Sequence, residues 1–212
     1  MNPSARNLLL TTLLVGIQYL SFAQPGAASA VWWLPGVSWH PAKNTRILGQ
    51  VGYNHYLRAG IFFPQVFITV HKNIVLNPAY IYLVQKKYRT PVLSEHYLMN
   101  AVILQATSKY YFIEDRNMLW NRIPVGSAAT HYYRNRLKVG RILETGEIVT
   151  KLYIYDEIYY LFNNTTVTRN RIAFGINSEL SRHINADIAY VRQWDRYSRN
   201  INLFFIMVIL QF

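Results

Sequence analysis

The sequence contains no cysteine in 212 residues. A disulfide framework, a thiolate metal site and a cysteine nucleophile are therefore all excluded. Charged residues are also scarce, at 15% of the chain, against about 25% in an ordinary soluble domain. After residue 23 no apolar run approaches the roughly 20 residues that a membrane-spanning helix needs. This part of the sequence therefore predicts no transmembrane helix.

Apolar and amphipathic residues take the place of the missing charge. Hydrophobic residues make up 51% of the chain, which includes 17 Tyr and 5 Trp, and such rings favour membrane interfaces. The formal net charge is +12. No nucleic-acid motif is present, so nucleic acid is not an expected partner. Anionic lipid or lipopolysaccharide headgroups are the expected counter-charge, and the alternative is that arginine lines a polar interior.

The first residues have the pattern of a secretory signal peptide. An early Arg6 precedes an apolar core from Leu8 to Leu20, and small residues flank Phe22. Such a pattern predicts export with cleavage after Ala23, so that residues 1–23 are removed. A retained anchor helix is the alternative, but Gln18 interrupts the apolar stretch. Export and the barrel pattern described below together predict a bacterial outer-membrane location.

The rest of the chain has turn signals about every 12 residues, as all-β barrels and sandwiches do. Residues 24–44 contain two prolines and are expected to be a lead-in or an extra strand. Residues 45–212 form the predicted barrel domain. Its ten predicted strands are 45–57, 62–71, 74–86, 96–106, 110–122, 130–143, 147–161, 168–180, 184–195 and 200–212.

The connections between these strands alternate in length. Tight turns are predicted at 71–73, 107–109, 144–147 and 181–183. Longer joins are predicted at 87–95, 123–129, 162–167 and 196–199. Outer-membrane barrels have short periplasmic turns and longer outer loops. Counting back from a periplasmic C-terminus predicts an even number of strands and an N-terminus on the same side.

Alternation within the strands predicts which face meets the membrane. In the predicted strand 168–180, Ile172, Phe174 and Ile176 oppose Arg169 and Arg171. Both soluble and membrane barrels show such a period of two. Aromatic residues near the strand ends and recurrent basic residues on the polar faces favour the membrane form, with apolar faces outward. The predicted fold is an antiparallel up-and-down transmembrane β-barrel of about ten strands, with twelve as the alternative and a small, filled polar lumen.

The last strand alternates apolar residues and ends in an aromatic ring. On one face it carries Phe204, Ile206, Val208, Leu210 and Phe212. This pattern resembles the signal by which the barrel-assembly machinery recognises outer-membrane proteins. The strand is expected to close the barrel by pairing with the first strand, because hydrocarbon cannot satisfy an open edge. Its other face, which includes Leu203 and Ile209, is expected to pack inside the lumen.

Several stretches together resemble an uncharacterised family of Bacteroidota outer-membrane barrels, family 2490 among domains of unknown function. They are "EHYLMNAVILQ", "IEDRNMLWNR", "HYYRNRLKVGR", "IYDEIYYLFNN", "VTRNRIAFGI" and "ADIAYVRQWD". The resemblance runs from about residue 32 to the C-terminus and implies an outer-membrane barrel without a known activity. The second of these stretches departs from the family pattern, because Asn117 and Met118 stand where further Arg and Glu are expected.

The main candidate site is a ladder of basic residues predicted to face the lumen. Its members are Arg116, Arg134, Arg136, Lys138, Lys151, Arg169 and Arg171. The expected acidic partners across the strands are Glu114, Glu157, Glu179 and Asp187. Ion pairs between them would fill a narrow lumen. The functional alternative is that the excess positive charge holds or selects an anion.

The sequence leaves three functions open. The first is a structural or accessory barrel, or a narrow channel, within a larger outer-membrane complex. The second is an enzyme that modifies lipid or lipopolysaccharide, and the third is a soluble periplasmic carrier. Ser94, Glu95 and His96 are adjacent, but neighbours along a strand face opposite ways, so they make a poor catalytic triad. The sequence contains no metal or cofactor motif, and none is expected.

Overall fold

The alternating segments fold as eleven β-strands in the computed structural model, which describes residues 28–86 and 92–212. The predicted signal peptide lies outside the described residues. No helix in these two ranges is long and apolar enough to cross a membrane. In chain order the strands are β1 (Ala28–Ala42), β2 (Thr45–Asn54), β3 (Ala59–His71), β4 (Ile74–Lys86), β5 (Val92–Thr107), β6 (Tyr111–Pro124), β7 (Thr130–Thr145), β8 (Ile148–Leu161), β9 (Thr166–Ser181), β10 (Ile184–Asp195) and β11 (Ile201–Gln211).

The strands form one closed barrel, as predicted, but their number is odd. Each strand pairs antiparallel with its neighbours in sequence, and β1 closes the barrel by pairing in parallel with β11. An odd number of strands joined by hairpins makes the first and last strands run the same way, so their pairing must be parallel. The prediction of an even strand number was therefore wrong.

The eleventh strand comes from the segment that the sequence left open as a lead-in or an extra strand. Pro35 and Pro41 lie within β1, and prolines weigh against a strand in the middle of a sheet. The pairing nevertheless runs from Ala28 opposite Ile201 to Ser38 opposite Gln211. Because β1 runs parallel to β11, it begins at the barrel end opposite Phe212. The prediction that the chain enters on the side of its C-terminus was therefore wrong.

The two ends of the barrel differ in the length of their connections. We call one the short-turn end, because the strands there are joined by residues 43–44, 72–73, 108–110, 146–147 and 182–183. The C-terminal Phe212 lies at this end. The opposite, long-loop end has connections at 55–58, 125–129, 162–165 and 196–200. The predicted sorting of short and long connections to opposite ends is thus present.

Side chains alternate between the lumen and the outer wall in the predicted direction. Ile172 and Phe174 on β9 are 51% and 54% exposed, whereas Arg134 on β7 is 9% exposed. The guanidinium groups therefore point inward and the apolar side chains outward. This arrangement inverts the usual plan of a soluble barrel, which buries its apolar face.

Part of the lumen is packed with apolar side chains. Leu203 and Val191 form a buried cluster with Ala30 and Ala173, and Phe205 packs against it. Leu203 on β11 thus faces the lumen, as expected. On β9 a Cβ at Gly175 would overlap the ring of Tyr153. Glycine is needed there because the ring crosses directly over its backbone.

Candidate functional site

The centre of the lumen is organised around one buried carboxylate, that of Glu157 on β8. Its side chain is 2% exposed. Glu157 Oε1 accepts hydrogen bonds from Nη2 of Arg116 at 2.8 Å and of Arg134 at 2.7 Å. Oε2 lies 3.4 Å from Arg171 Nη1 and accepts the hydroxyl of Tyr159 at 3.0 Å. Three strands besides β8 therefore converge on a single acidic group, and each supplies one arginine.

Aromatic rings hold the arginines of this cluster in place. The Arg134 guanidinium carbon lies 4.2 Å from the ring centroid of Trp120 and 4.4 Å from that of Tyr159. A guanidinium in contact with two neighbouring rings gains cation–π attraction while its N–H groups can still bond a carboxylate. The Arg171 guanidinium carbon lies 5.0 Å from the same Tyr159 ring. The cluster is therefore packed as well as charged.

Further polar contacts continue the network toward both ends of the barrel. Arg136 Nη2 donates to Glu114 Oε1 at 2.8 Å, and Arg169 Nε donates to Asp195 Oδ1 at 2.7 Å. Lys151 lies 3.4 Å from Glu179, and both side chains are more than a third exposed. That last pair contributes little, because solvent screens it.

All seven basic residues of the predicted ladder face the lumen, but their partners differ in part from expectation. Glu157, Glu114 and Glu179 have the expected ionic role. Asp187 accepts hydrogen bonds from Tyr153 at 2.6 Å and from Asn177 at 3.2 Å. The described residues place no cation within 4.0 Å of it.

Sequence reasoning left four members of the lumen network out of the ladder and its acidic partners. Asp195 serves as the partner of Arg169, and Arg122 forms a two-point ion pair with Glu95. Arg46 on β2 also faces the lumen, with its guanidinium carbon 4.2 Å from the ring centroid of Phe67. The alternation within 45–57 places Arg46 on the inward face, but a single basic residue in an apolar strand does not by itself indicate a polar lumen.

Counting the inward charges gives the sign of the lumen. The nine cations are Arg46, Arg116, Arg122, Arg134, Arg136, Lys138, Lys151, Arg169 and Arg171. The seven acids on the inward faces are Glu95, Glu114, Glu144, Glu157, Glu179, Asp187 and Asp195. Nine against seven leaves two positive charges in excess among the described residues.

The outer wall is predominantly apolar, with aromatic rings toward its two ends. Trp39 and Tyr111 are 54% and 60% exposed near the short-turn end, and Tyr53 is 50% exposed near the long-loop end. On β11 the outward side chains include Val208 and Leu210, each 44% exposed. Phe204 and Ile206 alternate with the lumen-facing residues on the same strand, and Phe212 follows its last residue.

Polar side chains interrupt this wall on four adjacent strands. We call Asp115, Asn117, Asn135, Asp156 and Asn170 the outer polar patch. Strand pairing aligns Asn117, Asn135, Ile158 and Asn170 in one row. The next row toward the short-turn end holds Asp115, Leu137, Asp156 and Ile172. Five of these eight outward positions are therefore polar.

Hydrogen bonds link the members of the outer polar patch. Asp115 accepts from Asn135 Nδ2 at 2.6 Å and from Asn117 Nδ2 at 3.0 Å. Asp156 accepts from Asn170 Nδ2 at 2.7 Å. The two carboxylates and the remaining amide oxygens can accept further bonds, whereas most amide hydrogens are already used. The patch is therefore rich in acceptors and carries two negative charges.

The residues considered for a catalytic triad do not converge. Glu95 faces the lumen and pairs with Arg122, whereas His96 lies on the outer wall, 2.6 Å from the Tyr80 hydroxyl. Ser94 is in contact with Tyr82 at 3.5 Å. Among the described residues, no three His, Asp or Glu side chains are grouped as a metal site requires.

One family model matches this chain, over residues 35–203. It is described as a protein of unknown function, DUF2490. The match begins within β1, covers β2 to β10 completely and ends at the start of β11. It includes all seven basic residues of the lumen ladder. No curated protein matches the sequence.

Proposed function

We propose that this chain, which belongs to the DUF2490 family of proteins of unknown function, is a bacterial outer-membrane barrel with a closed lumen. In this proposal the protein is a structural or accessory component of a larger membrane complex. The family gives no activity, so the proposal rests on the outer wall, the lumen and the outer polar patch of the chain itself.

The apolar outer wall is the observation that carries the proposal. Large apolar side chains that are about half exposed include Val51, Phe62, Ile154, Ile172 and Phe174. They occur on β2, β3, β8 and β9, so the apolar face is outward on both sides of the barrel. A soluble monomer rarely exposes apolar patches beyond a few hundred Å². Lipid acyl chains and lipopolysaccharide are the partners that such a wall fits.

The lumen network favours a closed barrel over a channel. Glu157 and its arginines occupy the middle of the lumen, with Glu157 2% exposed and Arg134 9% exposed. Small barrels are filled by side chains, whereas barrels with an aqueous channel have about 16–18 strands. The Glu157 cluster places charged groups in the middle of the lumen, where an apolar ligand would have to bind. A structural or accessory role therefore fits the lumen better than transport does.

The outer polar patch supports membership of a complex. Asn117 lies near the middle of β6, with Ile113 and Leu119 exposed on either side along the same strand. Charged residues that face lipid near the midplane cost up to a few kcal/mol each. A neighbouring membrane protein that brings Arg, Lys or amide donors to this level would satisfy the acceptors. We infer that the patch is the contact surface for such a protein.

The end of β11 supports biogenesis through the barrel-assembly machinery. Val208 and Leu210 face outward, and Phe212 follows at the short-turn end. In the proposed orientation this end is periplasmic, where assembly factors act on an incoming chain.

Cell fractionation and gel mobility test the membrane assignment. We expect the folded protein to remain in the membrane fraction and to migrate differently on a gel before and after boiling. Recovery of folded protein from buffer without detergent would refute the assignment. In planar bilayers we expect no steady conductance, and a stable open pore in the wild-type protein would refute the closed lumen.

Photo-crosslinking gives a direct test of the outer polar patch. A photo-crosslinking residue at position 135 should capture one membrane protein, through a membrane-spanning segment that contains Arg or Lys. The capture should be lost in the D115N/D156N variant. The same residue at position 174, on the apolar wall two strands away, is the control and should capture mainly lipid. Capture of lipid alone at position 135 would refute a protein contact, and capture of a second copy would replace it with self-association.

A further inference from the structure

A cavity of about 320 Å³ lies within the lumen at the short-turn end. One side is formed by the β1–β2 turn and the adjoining strands, with His40, Lys43, Arg46 and Phe67. Strands β4 to β6 form the opposite side and contribute Gln105 and Glu114, among others. The cavity is therefore enclosed by strands that are distant in sequence, and it is separate from the Glu157 cluster.

The charges that line this cavity are mostly positive. Lys43 and Arg46 line it, and His40 adds a third basic side chain. The only carboxylate among the lining residues is Glu114. That carboxylate is already bonded to Arg136 at 2.8 Å, so it offsets only part of the positive charge on the basic side.

The side-chain donors of Arg46 are not used by the described residues. Among the described residues no carboxylate oxygen lies within 4.0 Å of it, and no side-chain hydrogen bond engages it. Its close neighbour is the ring of Phe67, whose centroid lies 4.2 Å from the guanidinium carbon. A ring holds the face of a guanidinium and cannot accept all five of its N–H groups. These donors therefore remain available to a ligand in the cavity.

We propose that this cavity binds a small oxyanion, a phosphate or carboxylate group, held by Arg46 with Lys43 and His40. Guanidinium groups bond such anions through two parallel N–H groups. Thr69 and Gln105 line the same cavity and offer neutral donors for the remaining oxygens. The excess of two positive charges in the lumen adds attraction for an anion. The site lies inside the barrel and does not depend on what surrounds the outer wall.

Inorganic phosphate is the first probe, added to the full-length mature protein in a neutral detergent. The measurement is the midpoint temperature of unfolding, followed by tryptophan fluorescence, against sodium chloride at matched ionic strength. We expect a saturable rise with phosphate. In a second series a short-chain lipid with a phosphate headgroup replaces inorganic phosphate, and this series distinguishes a lipid source of the same chemical group from a free anion.

Three variants decide which residues bind the anion. R46Q should abolish the phosphate-dependent rise, and E114Q should strengthen it because a negative charge is removed from the cavity wall. R141Q is the control for R46Q, because Arg141 is exposed on the outer side of β7, and it should respond like the wild type. If R46Q unfolds without ligand, R46K replaces it and should weaken binding.

The outcomes separate this proposal from the membrane assignment. A rise in the unfolding midpoint with phosphate no greater than that with chloride would overturn the anion site. An equal rise in R46Q and R141Q would also overturn it. A saturable response to the phosphate lipid alone would retain the site and assign it to a headgroup. Fractionation into the soluble phase would refute the membrane assignment and leave this result unchanged.

Discussion

Removing the charge of Glu157 should destabilise the barrel more than removing that of any exposed acid. The substitution E157Q keeps the size of the side chain and replaces one carboxylate oxygen with an amide. It leaves Arg116, Arg134 and Arg171 close together without their shared counter-charge. Their side chains are 14%, 11% and 15% exposed. Little water therefore reaches them to compensate.

The expected size of the effect follows from this burial. Breaking a buried ion pair by removing one partner costs about 3–5 kcal/mol. Here one carboxylate serves three cations, so we expect E157Q to lose at least about 3 kcal/mol of unfolding free energy. The matched control is E179Q, whose pair with Lys151 spans 3.4 Å with 37% and 46% exposure. Such exposed pairs contribute about 0–1 kcal/mol.

Urea unfolding of the two variants in the same detergent measures this difference. Gel mobility of unboiled samples gives an independent readout of the folded barrel. E157Q should unfold at a clearly lower urea concentration than E179Q. Equal midpoints for the two variants would show that Glu157 does not organise the lumen and would refute the argument.

Three further substitutions test the packing of the barrel by the same unfolding assay. G175A should cost about 1–3 kcal/mol, because its methyl group would overlap the Tyr153 ring. G49A is its control and should be close to neutral, since nothing lies within 4 Å of a Cβ at Gly49; equal losses would contradict the packing. R134K should cost about 1–2 kcal/mol, because an ammonium cannot both contact the rings of Trp120 and Tyr159 and bond Glu157. R141K on the outer wall is its control, and a neutral R134K would show that stacking is unimportant. G146A should cost about 1 kcal/mol, because Gly146 in the β7–β8 turn has a φ of 63°. A loss of stability in G146A no greater than that in G49A would contradict this turn conformation.

Much of the fold could be read from the sequence because a strand alternates its side chains strictly. Ile172 and Arg171 are adjacent in sequence and face opposite sides of the wall, so a period of two separates the faces before any contact is known. The short and long connections likewise reflect local turn chemistry. These features assigned the seven basic residues to the lumen.

The strand count failed because Pro35 and Pro41 are poor strand residues taken singly. β1 is nevertheless paired on both sides, antiparallel with β2 and parallel with β11. The edge of β11 is available to it only after the chain has closed into a barrel. A residue-by-residue reading of 24–44 therefore could not establish the eleventh strand or its parallel direction.

The pairing of lumen charges also depended on closure. Glu157 meets Arg116, which is not on an adjacent strand, because the lumen is narrow enough for side chains to reach across β7. The outer polar patch is hidden in sequence for a similar reason. Asp115, Asn135 and Asn170 belong to separate segments, and only the register of β6 to β9 places them together.

The sequence by itself determined which side chains share a face of the wall, because alternation is a property of each strand alone. The tertiary structure decided the number of strands, the parallel closure and the partners of each charge. These depend on register and curvature, which bring residues from distant segments to within a few ångströms of each other.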